Sequence, residues 1–403
     1  MSNWLDQLLE VTDEAESPKT FIYWAGLAAI AAVMKKNVYL DKHYYKLYPN
    51  LYVMLVAKSG GRKGFPISVA KSLVQSVNNT KIISGRNSIQ AVVKDLSRAW
   101  TLENGEMLKD ATAFIVSEEF TTLVIDDDSA LPILTTLYDT HAHEKGWFNT
   151  LKGEGQERLK DVCITLLGAS NQTHFKDKVG AVDFTGGFVG RLLIVLEDKR
   201  GRINPLVEAP EKLFDLNPLI PYLQEISRLK GPFLWTKDAG NKYKEWYIKF
   251  SENEVDDTTG TKDRLHDQIL KVAMLLALSR RLDLKLMLED IVDSIDSCLG
   301  FSSNAARVSS GQGKSPLGTP TAKLIDYLLG RIEFRDSRRM ILQRMYGDFD
   351  ALDLDKIIHT MVEAGALKEP SRNGKGDLFY QLTDKFVEVY KKKKEAKNAS
   401  HVT

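Results

Sequence analysis

The stretch Asn50–Ala70, NLYVMLVAKSGGRKGFPISVA, decides how this chain is read. Leu51 to Val56 is a short apolar run rich in β-branched and aromatic residues, which is the pattern of a buried strand. A polar, glycine-bearing turn follows, and from Pro66 the spacing becomes helical. Strand, glycine turn and helix in that order favour an anion, because backbone N–H groups converge on it and the helix adds its positive end. Lys63 then supplies a point charge for the β and γ phosphates of a nucleotide.

Measured against G-x-x-x-x-G-K-[ST], the stretch keeps the lysine and little else. Ala57 holds the first glycine position, Arg62 the second, and Gly64 stands where Ser or Thr would be. Ser59, Gly60 and Gly61 fill the interior. Taken alone, Ser59, Gly60, Gly61, Arg62, Lys63 and Gly64 read equally as a nucleotide-binding loop or as a plain polar strand-to-helix turn.

Bulk composition narrows the field. At 403 residues the chain exceeds the ~250–300 at which single cores stop growing, so more than one domain is expected. With 43% hydrophobic and 27% charged residues it is an ordinary globular sequence. A formal net charge of +1 gives no global pull toward nucleic acid, so any such surface is local. Two cysteines, Cys163 and Cys298, exclude a disulfide framework and a Cys-rich zinc site. The apolar stretch Phe21 to Met34 is shorter than the ~20 residues of a membrane helix, and no signal peptide opens the chain. No membrane partner and a cytoplasmic location are the expectation.

Outward from the opening stretch, residues 1–44 read as an N-terminal helical segment and 45–204 as a core of alternating strands and helices. Strands are expected at Leu51–Val56, Ala113–Val116, Cys163–Gly168 and Leu192–Leu196, and helices at Pro66–Ser76, Ile89–Arg98 and Leu131–Asp139. That alternation predicts an α/β fold with a mostly parallel sheet and helices on both faces. A helical region spans 205–307, and 308–320 is a linker by its Gly, Ser and Pro content. Residues 321–390 read as three helices and a hairpin with a basic, glycine-rich tip, the outline of a winged helix. The lysine-rich 391–403 is a basic tail.

Chemistry-bearing residues recur at strand ends. Ala113–Val116 runs into Ser117-Glu118-Glu119, paired acids that suit a Mg²⁺-organising carboxylate and a second one polarising water, or simply open a helix. The Ile164–Gly168 run ends toward Asn171, a γ-phosphate or water contact or a turn residue. Arg191, just before an apolar strand, is either an ion-pair partner or a finger reaching a nucleotide on a neighbouring subunit. Gly153-Glu154-Gly155 centres a hairpin over 144–160.

In order, Lys63, Glu118–Glu119, Asn171 and Arg191 follow Walker A, Walker B, sensor 1 and arginine finger. Through YPNLYVMLVAKSGGRKG (48–64), FIVSEEF (114–120), TLLGASNQTHF (165–175), GGFVGRLLIV (186–195) and RLHDQILKVAMLLALS (264–279), the chain resembles phage-, plasmid- and mobile-element-encoded AAA+ ATPases. These are related to primase-associated, superfamily 3 and minichromosome-maintenance-like replicative helicases. The resemblance covers most of residues 15–300. It implies an AAA+ P-loop core at 45–204 that takes ATP and Mg²⁺. In it, Lys63 is the phosphate lysine, Glu118 and Glu119 the metal and water carboxylates, Asn171 the sensor and Arg191 a trans-acting finger. Arg264 and His266 open the helix after the core.

The resemblance further implies a homo-oligomer, a hexameric ring acting on single-stranded or forked DNA in replication, with Lys152 of the hairpin on the strand. In the C-terminal unit Lys356, Arg372 and Lys375, with His359, are the DNA-facing candidates, although Asp350, Asp353 and Asp355 stand beside them. No primase motif is present, so primer synthesis falls to a separate primase or polymerase. Two other readings stay open: a DNA-binding initiator or loader that hydrolyses slowly as a switch, and a scaffold with a dead nucleotide site.

Overall fold

A computed structural model describes residues 3–85, 88–98, 100–101, 107–108, 110–123, 127, 129–139, 147–151, 155–179, 187–203, 215–252, 259–309, 317–374 and 376–390. The chain divides into two compact units, residues 1–309 and 310–403.

The first unit is built on five parallel strands: β1 (Tyr52–Ala57), β2 (Lys81–Ser84), β3 (Thr112–Ser117), β4 (Cys163–Ser170) and β5 (Leu192–Glu197). Their spatial order is β5-β1-β4-β3-β2. The strand of the opening stretch is thus interior, paired to β5 from Leu192↔Tyr52 to Glu197↔Ala57 and to β4 from Leu166↔Tyr52 to Ser170↔Val56. Side chains alternate between two apolar layers: Val53, Leu55, Leu193 and Val195 enter one, Tyr52, Met54, Leu192 and Ile194 the other. Both faces are therefore covered, which is why these strands read as continuous apolar runs.

Helices α1 (Trp4–Val11), α2 (Lys19–Met34), α3 (Gly64–Val77), α4 (Ile89–Ser97), α5 (Ala130–Tyr138) and α6 (Gln172–Lys178) accompany the sheet. Helix α2 is apolar nearly all round and buried, and it packs on α1, α3, β1 and β4. After β5 come α7 (Ile220–Arg228), α8 (Lys237–Glu252), α9 (Thr261–Arg280), α10 (Leu288–Cys298) and α11 (Phe301–Ser309). The region 205–307, read as helical, also holds short strands: Gly231–Pro232 pairs with Val38–Asp41, itself a strand within the 1–44 segment read as helical, and Leu234–Trp235 pairs with Lys285–Leu286. Those of 205–307 are two residues long, too short for a period of two to show. The edge strand β2, KIIS, escapes sequence reading for a similar reason.

The antiparallel pair Trp147–Leu151 and Gly155–Leu159 follows β3 and precedes β4 along the chain, as its sequence suggested, while Lys152 lies outside the described residues. Val308, read as linker, instead belongs to α11 and is fully buried in the same apolar layer as Ile194, and Gly318–Pro320 open the next helix. Both cysteines are buried and unbridged. Among the described residues, no helix is long and apolar enough to cross a membrane.

The second unit contains α12 (Gly318–Leu329), β6 (Arg335–Ser337), α13 (Arg338–Met345), α14 (Ala351–Glu363), β7 (Ser371–Arg372) and β8 (Leu378–Gln381). Its antiparallel sheet is ordered β6-β8-β7 and closes over a core including Leu328, Ile341, Leu354, Ile358 and Tyr380. The first strand, RDS, has no apolar residue and was not expected.

One buried charge joins several elements of the first unit. The Lys271 amine of α9 donates to the Asn50 carbonyl at 3.1 Å and to Asn50 Oδ1 at 2.8 Å, and lies 4.0 Å over the Tyr138 ring. The Asn50 amide donates in turn to the Tyr138 and Ile164 carbonyls. Burial lowers the amine to about 8, against 10.5 for a free lysine. Between those values the unfolded chain binds more protons than the folded one, so stability rises with pH. The Tyr52 and Tyr138 phenols, raised by burial, act only above pH 10 and in the opposite sense. All six tryptophans lie before residue 309, so their fluorescence reports this unit alone. The Cys163 and Cys298 thiols, also raised by burial, oppose the lysine from about pH 9 upward. Urea midpoints followed by tryptophan emission are therefore expected to rise from pH 8 to 9, and the rise is expected to shrink in Lys271→Met.

Candidate functional site

Because the five strands are parallel, β1, β3, β4 and β5 all end on one edge, at Ala57, Ser117, Ser170 and Glu197. The crevice outside such ends is where open α/β sheets take ligands. Here it gathers the 58–63 turn, Glu118 and Glu119, Asn171 and the turn after Glu197.

The turn has the backbone of a tight loop. Gly60 has φ +75°, and a side chain at Gly61 would stand 2.7 Å from Ala57 Cβ, so both positions require glycine. Arg62, in the second glycine position of the motif, is itself left-handed at φ +55°. That conformation costs a side-chain-bearing residue about 1 kcal/mol. An N-terminal strap offsets it: Glu16 accepts from the Arg62 guanidinium at 2.6 and 2.7 Å, and the Ser17 hydroxyl donates to the Arg62 carbonyl at 2.5 Å. Gly201 joins the same strap, its N–H on the Glu16 carbonyl and its Cα so close to Ser17 that a Cβ would clash.

Lys63 precedes α3, a 14-residue helix with no side-chain cap at its start. Its amine donates to the Ala57 and Lys58 carbonyls at 3.1 and 3.0 Å. Burial lowers the pKa of this amine, and the Glu119 charge opposes that shift. Lys63 is thus held inside its own turn, near enough to Glu119 for that charge to act on it.

Gly64 and Glu118 meet. A Cβ built on Gly64 would lie 3.5 Å from Glu118 Oε2, ordinary contact, so the carboxylate borders the place where the usual hydroxyl would hang. Among the described residues no three His, Cys, Asp or Glu gather as a metal site. A Mg²⁺ bound with nucleotide needs only one or two carboxylates beside phosphate oxygens, and Glu118 fits that requirement. Glu119 starts a short 3₁₀ turn beside it, and a cleft of about 380 Å³ lined by Lys71, Ser84, Ser117, Glu118, Glu119 and Thr122 opens there. Asn171 Oδ1 caps α6 by accepting from His174 N at 2.7 Å, which leaves its amide N–H₂ for a ligand.

Arg200 was missed. Its Nη2 lies 3.3 Å from the position of a Gly60 Cβ, the side chain is exposed, and it has no partner among the described residues. Arg62 and Arg202 nearby are bound to Glu16, Asp13 and Glu14. The only sequence signal was position: Arg200 follows the strand that neighbours β1.

Arg191, Arg264 and His266 lie elsewhere. Arg191 precedes β5 at the amino edge, across the length of β1 from Lys63, roughly 20 Å at ~3.3 Å per residue. It is 7% exposed, with Nη2 on Asp139 Oδ2 at 2.5 Å and Nη1 on the Gly187 carbonyl at 2.7 Å. Of its two sequence readings, the ion-pair partner is what the structure contains. A cleft of about 390 Å³ beside it is lined by Asp139, Gly187, Arg264, His266, Asp267 and Lys271.

In the second unit Lys356 and His359 are exposed on α14, with Lys356 paired to Asp353 at 3.2 Å. Arg372 is exposed and donates to the Gly376 carbonyl at 3.1 Å, and Lys375 lies outside the described residues.

Relief of the Arg62 backbone is measurable. Arg62→Ala loses the Glu16 pair and keeps the strain, whereas Arg62→Gly loses the pair and removes the strain. The glycine variant is expected to be more stable than the alanine one by about 1 kcal/mol in chemical unfolding. A glycine variant no more stable than alanine would mean the turn carries no strain at residue 62.

No protein-family model matches this chain, and no curated protein matches it, so its functional reading rests on the geometry of this edge.

Proposed function

We propose that the chain is a cytoplasmic Mg²⁺-dependent ATPase with an AAA+ core and a C-terminal winged helix. On this reading it is a helicase or translocase acting on DNA in the replication of a phage or mobile element. The observation that carries the reading is the meeting, at the carboxyl edge of an all-parallel sheet, of the glycine turn with two carboxylates, Glu118 bordering Gly64 and Glu119 acting on the Lys63 charge. The order of elements in the second unit, helix, strand, two helices and a two-stranded hairpin, supports the winged-helix part.

The residues then divide the work. Lys63 exchanges its bonds to the Ala57 and Lys58 carbonyls for phosphate oxygens, and Arg200 adds a second cation over the turn. Glu118 would hold Mg²⁺, whose charge neutralises the β and γ phosphate oxygens when it is bound. Glu119 accepts a hydrogen bond from the attacking water, and the Asn171 amide donates toward the γ-phosphate. Arg191 and Arg264 are too far from their own turn to serve its nucleotide, so their place in catalysis is on that of a neighbouring copy in a hexameric ring. Single-stranded or forked DNA then passes the hairpins carrying Lys152, and a separate primase or polymerase supplies primers.

Two observations favour a second reading, an initiator or loader switch with weak hydrolysis. Arg191 is sequestered by Asp139, and Lys63 is satisfied by its own turn. Gly64 also lacks the hydroxyl that commonly ligates the metal.

ATP binding and DNA-stimulated phosphate release separate these readings. Lys63→Ala is expected to weaken ATP about 10- to 100-fold, the worth of a charged hydrogen bond. Glu119→Gln keeps binding and loses turnover about 100-fold or more. Gly64→Ser, whose Cβ fits, raises Mg²⁺-dependent turnover. Wild-type ATP affinity unchanged by Lys63→Ala would end the nucleotide reading. Strand displacement by the unmodified protein favours the motor.

Asp139 gives a sharper test of the switch. If the Asp139 pair restrains Arg191, Asp139→Asn increases the steady-state ATPase rate several-fold at unchanged ATP affinity. A reduced rate in that variant would instead make Asp139 the residue that aims Arg191.

A further inference from the structure

An open groove of about 890 Å³ lies in the second unit, between α13 and the β7–β8 hairpin, and its walls include Arg338, Arg339, Gln343, Tyr346, Arg372 and Asp377. Asp377 is the one acid among its lining residues. The arginines are not equivalent. Arg338 is bound to Asp355, the Ala351 carbonyl and the Tyr380 hydroxyl, so it is part of the framework. Arg339 is exposed and has no hydrogen-bond or ion-pair partner among the described residues, and Arg372 spends one nitrogen on the Gly376 carbonyl.

Arg339, Gln343 and Tyr346 are spaced i, i+4, i+7, so they form one stripe along α13 and its C-cap. At ~1.5 Å per residue the stripe is roughly 10 Å long. Tyr346 at its end is 84% exposed, a large aromatic face open to solvent. Cations at one end, an amide in the middle and a bare aromatic ring at the other are the features that hold an unpaired strand, through phosphate charge and base stacking.

The neighbouring helix is poorly suited to a phosphate backbone. Asp350 caps α14, Asp353 holds Lys356, and Asp355 holds Arg338, so the first turns of α14 present carboxylates rather than free cations. A duplex read by α14 would meet like charge at its phosphates.

We propose that the groove between α13 and the hairpin binds an unpaired nucleic-acid strand, with Arg339 and Arg372 on its phosphates and Tyr346 stacked on a base. The surface is distinct from α14, where Lys356 and His359 are expected contacts, and it keeps from the sequence reading only Arg372 of the hairpin. It stands independently of the nucleotide reading, since nothing in it depends on the turn around Lys63.

The test uses the full chain and fluorescein-labelled dT20, with a duplex of the same length beside it, followed by anisotropy. Arg339→Glu and Tyr346→Ala are each expected to weaken dT20 about tenfold, within the range measured for lost stacking or a lost phosphate contact. Arg339→Glu also lowers the salt slope by roughly 0.7, one phosphate on a single strand. Lys356→Glu, measured like the others without nucleotide, stays within twofold. Both informative residues are exposed, so circular dichroism of the variants is expected to match the unmodified chain.

Photo-cross-linking of 5-iodouracil-substituted dT20, read by peptide mass spectrometry, locates the contact. Cross-links to the peptide containing Tyr346 support the proposal. Undiminished dT20 binding in Arg339→Glu and Tyr346→Ala overturns it, as does the absence of dT20 binding in the unmodified chain. Tighter binding of the duplex that is lost in Lys356→Glu overturns it in favour of α14. Displacement of dT20 by polyglutamate at equal charge concentration overturns it in favour of a site for acidic protein segments.

Discussion

The amine of Lys271, enclosed between Asn50 and Tyr138, is the contact on which the architecture of the first unit turns. Asn50 lies two residues before β1, its amide bonds the chain at β4 and the end of α5, and its two oxygens receive α9. A lone buried ammonium is costly, and this one is tolerated because two acceptors and an aromatic face surround it. The arrangement has only one register of β1 against its neighbours, since a shift by one residue would take Asn50 away from all three partners and invert the two apolar layers. The amino edge is therefore the rigid one, and the loops that could handle ligand project from the other.

That division explains why the fold was largely legible and the site only partly so. Buried parallel strands announce themselves as apolar runs, and the expected bounds of β1, β3, β4 and β5 lie within two residues of the observed ones, as do those of α3, α4 and α5. What escaped was short or polar: β2, the two-residue pairings around residues 231–235, and β6 with its sequence RDS. Such pieces are made by tertiary pairing and have no pattern of their own.

Among the site residues, those at strand ends were legible because a strand's end can be read from where its apolar run stops. Lys63, Glu118 and Asn171 were located this way, and the register of a parallel sheet then brings their loops to one edge. Arg200 could not be found so, because its nearness to Gly60 depends on β5 lying beside β1, a neighbour relation that periodicity does not encode. The Asp139 partner of Arg191 was invisible for the same reason: 52 residues separate them, and only the packing of α5 at the sheet's amino edge joins them.

The strap at residues 16 and 17 gives the glycine turn an unusual mechanical position. Most loops at the mouth of a sheet are tethered at their two ends and yield without disturbing the interior. Here the midpoint is tethered too, to the segment that leads directly into α2, and α2 is the most thoroughly enclosed helix beside the sheet. Any excursion of Arg62 must break the Glu16 and Ser17 bonds or draw on the start of α2. The turn behaves less as a flap than as the end of a lever whose fulcrum is the core, so an event at the carboxyl edge has a direct physical route to the packing of the whole first unit.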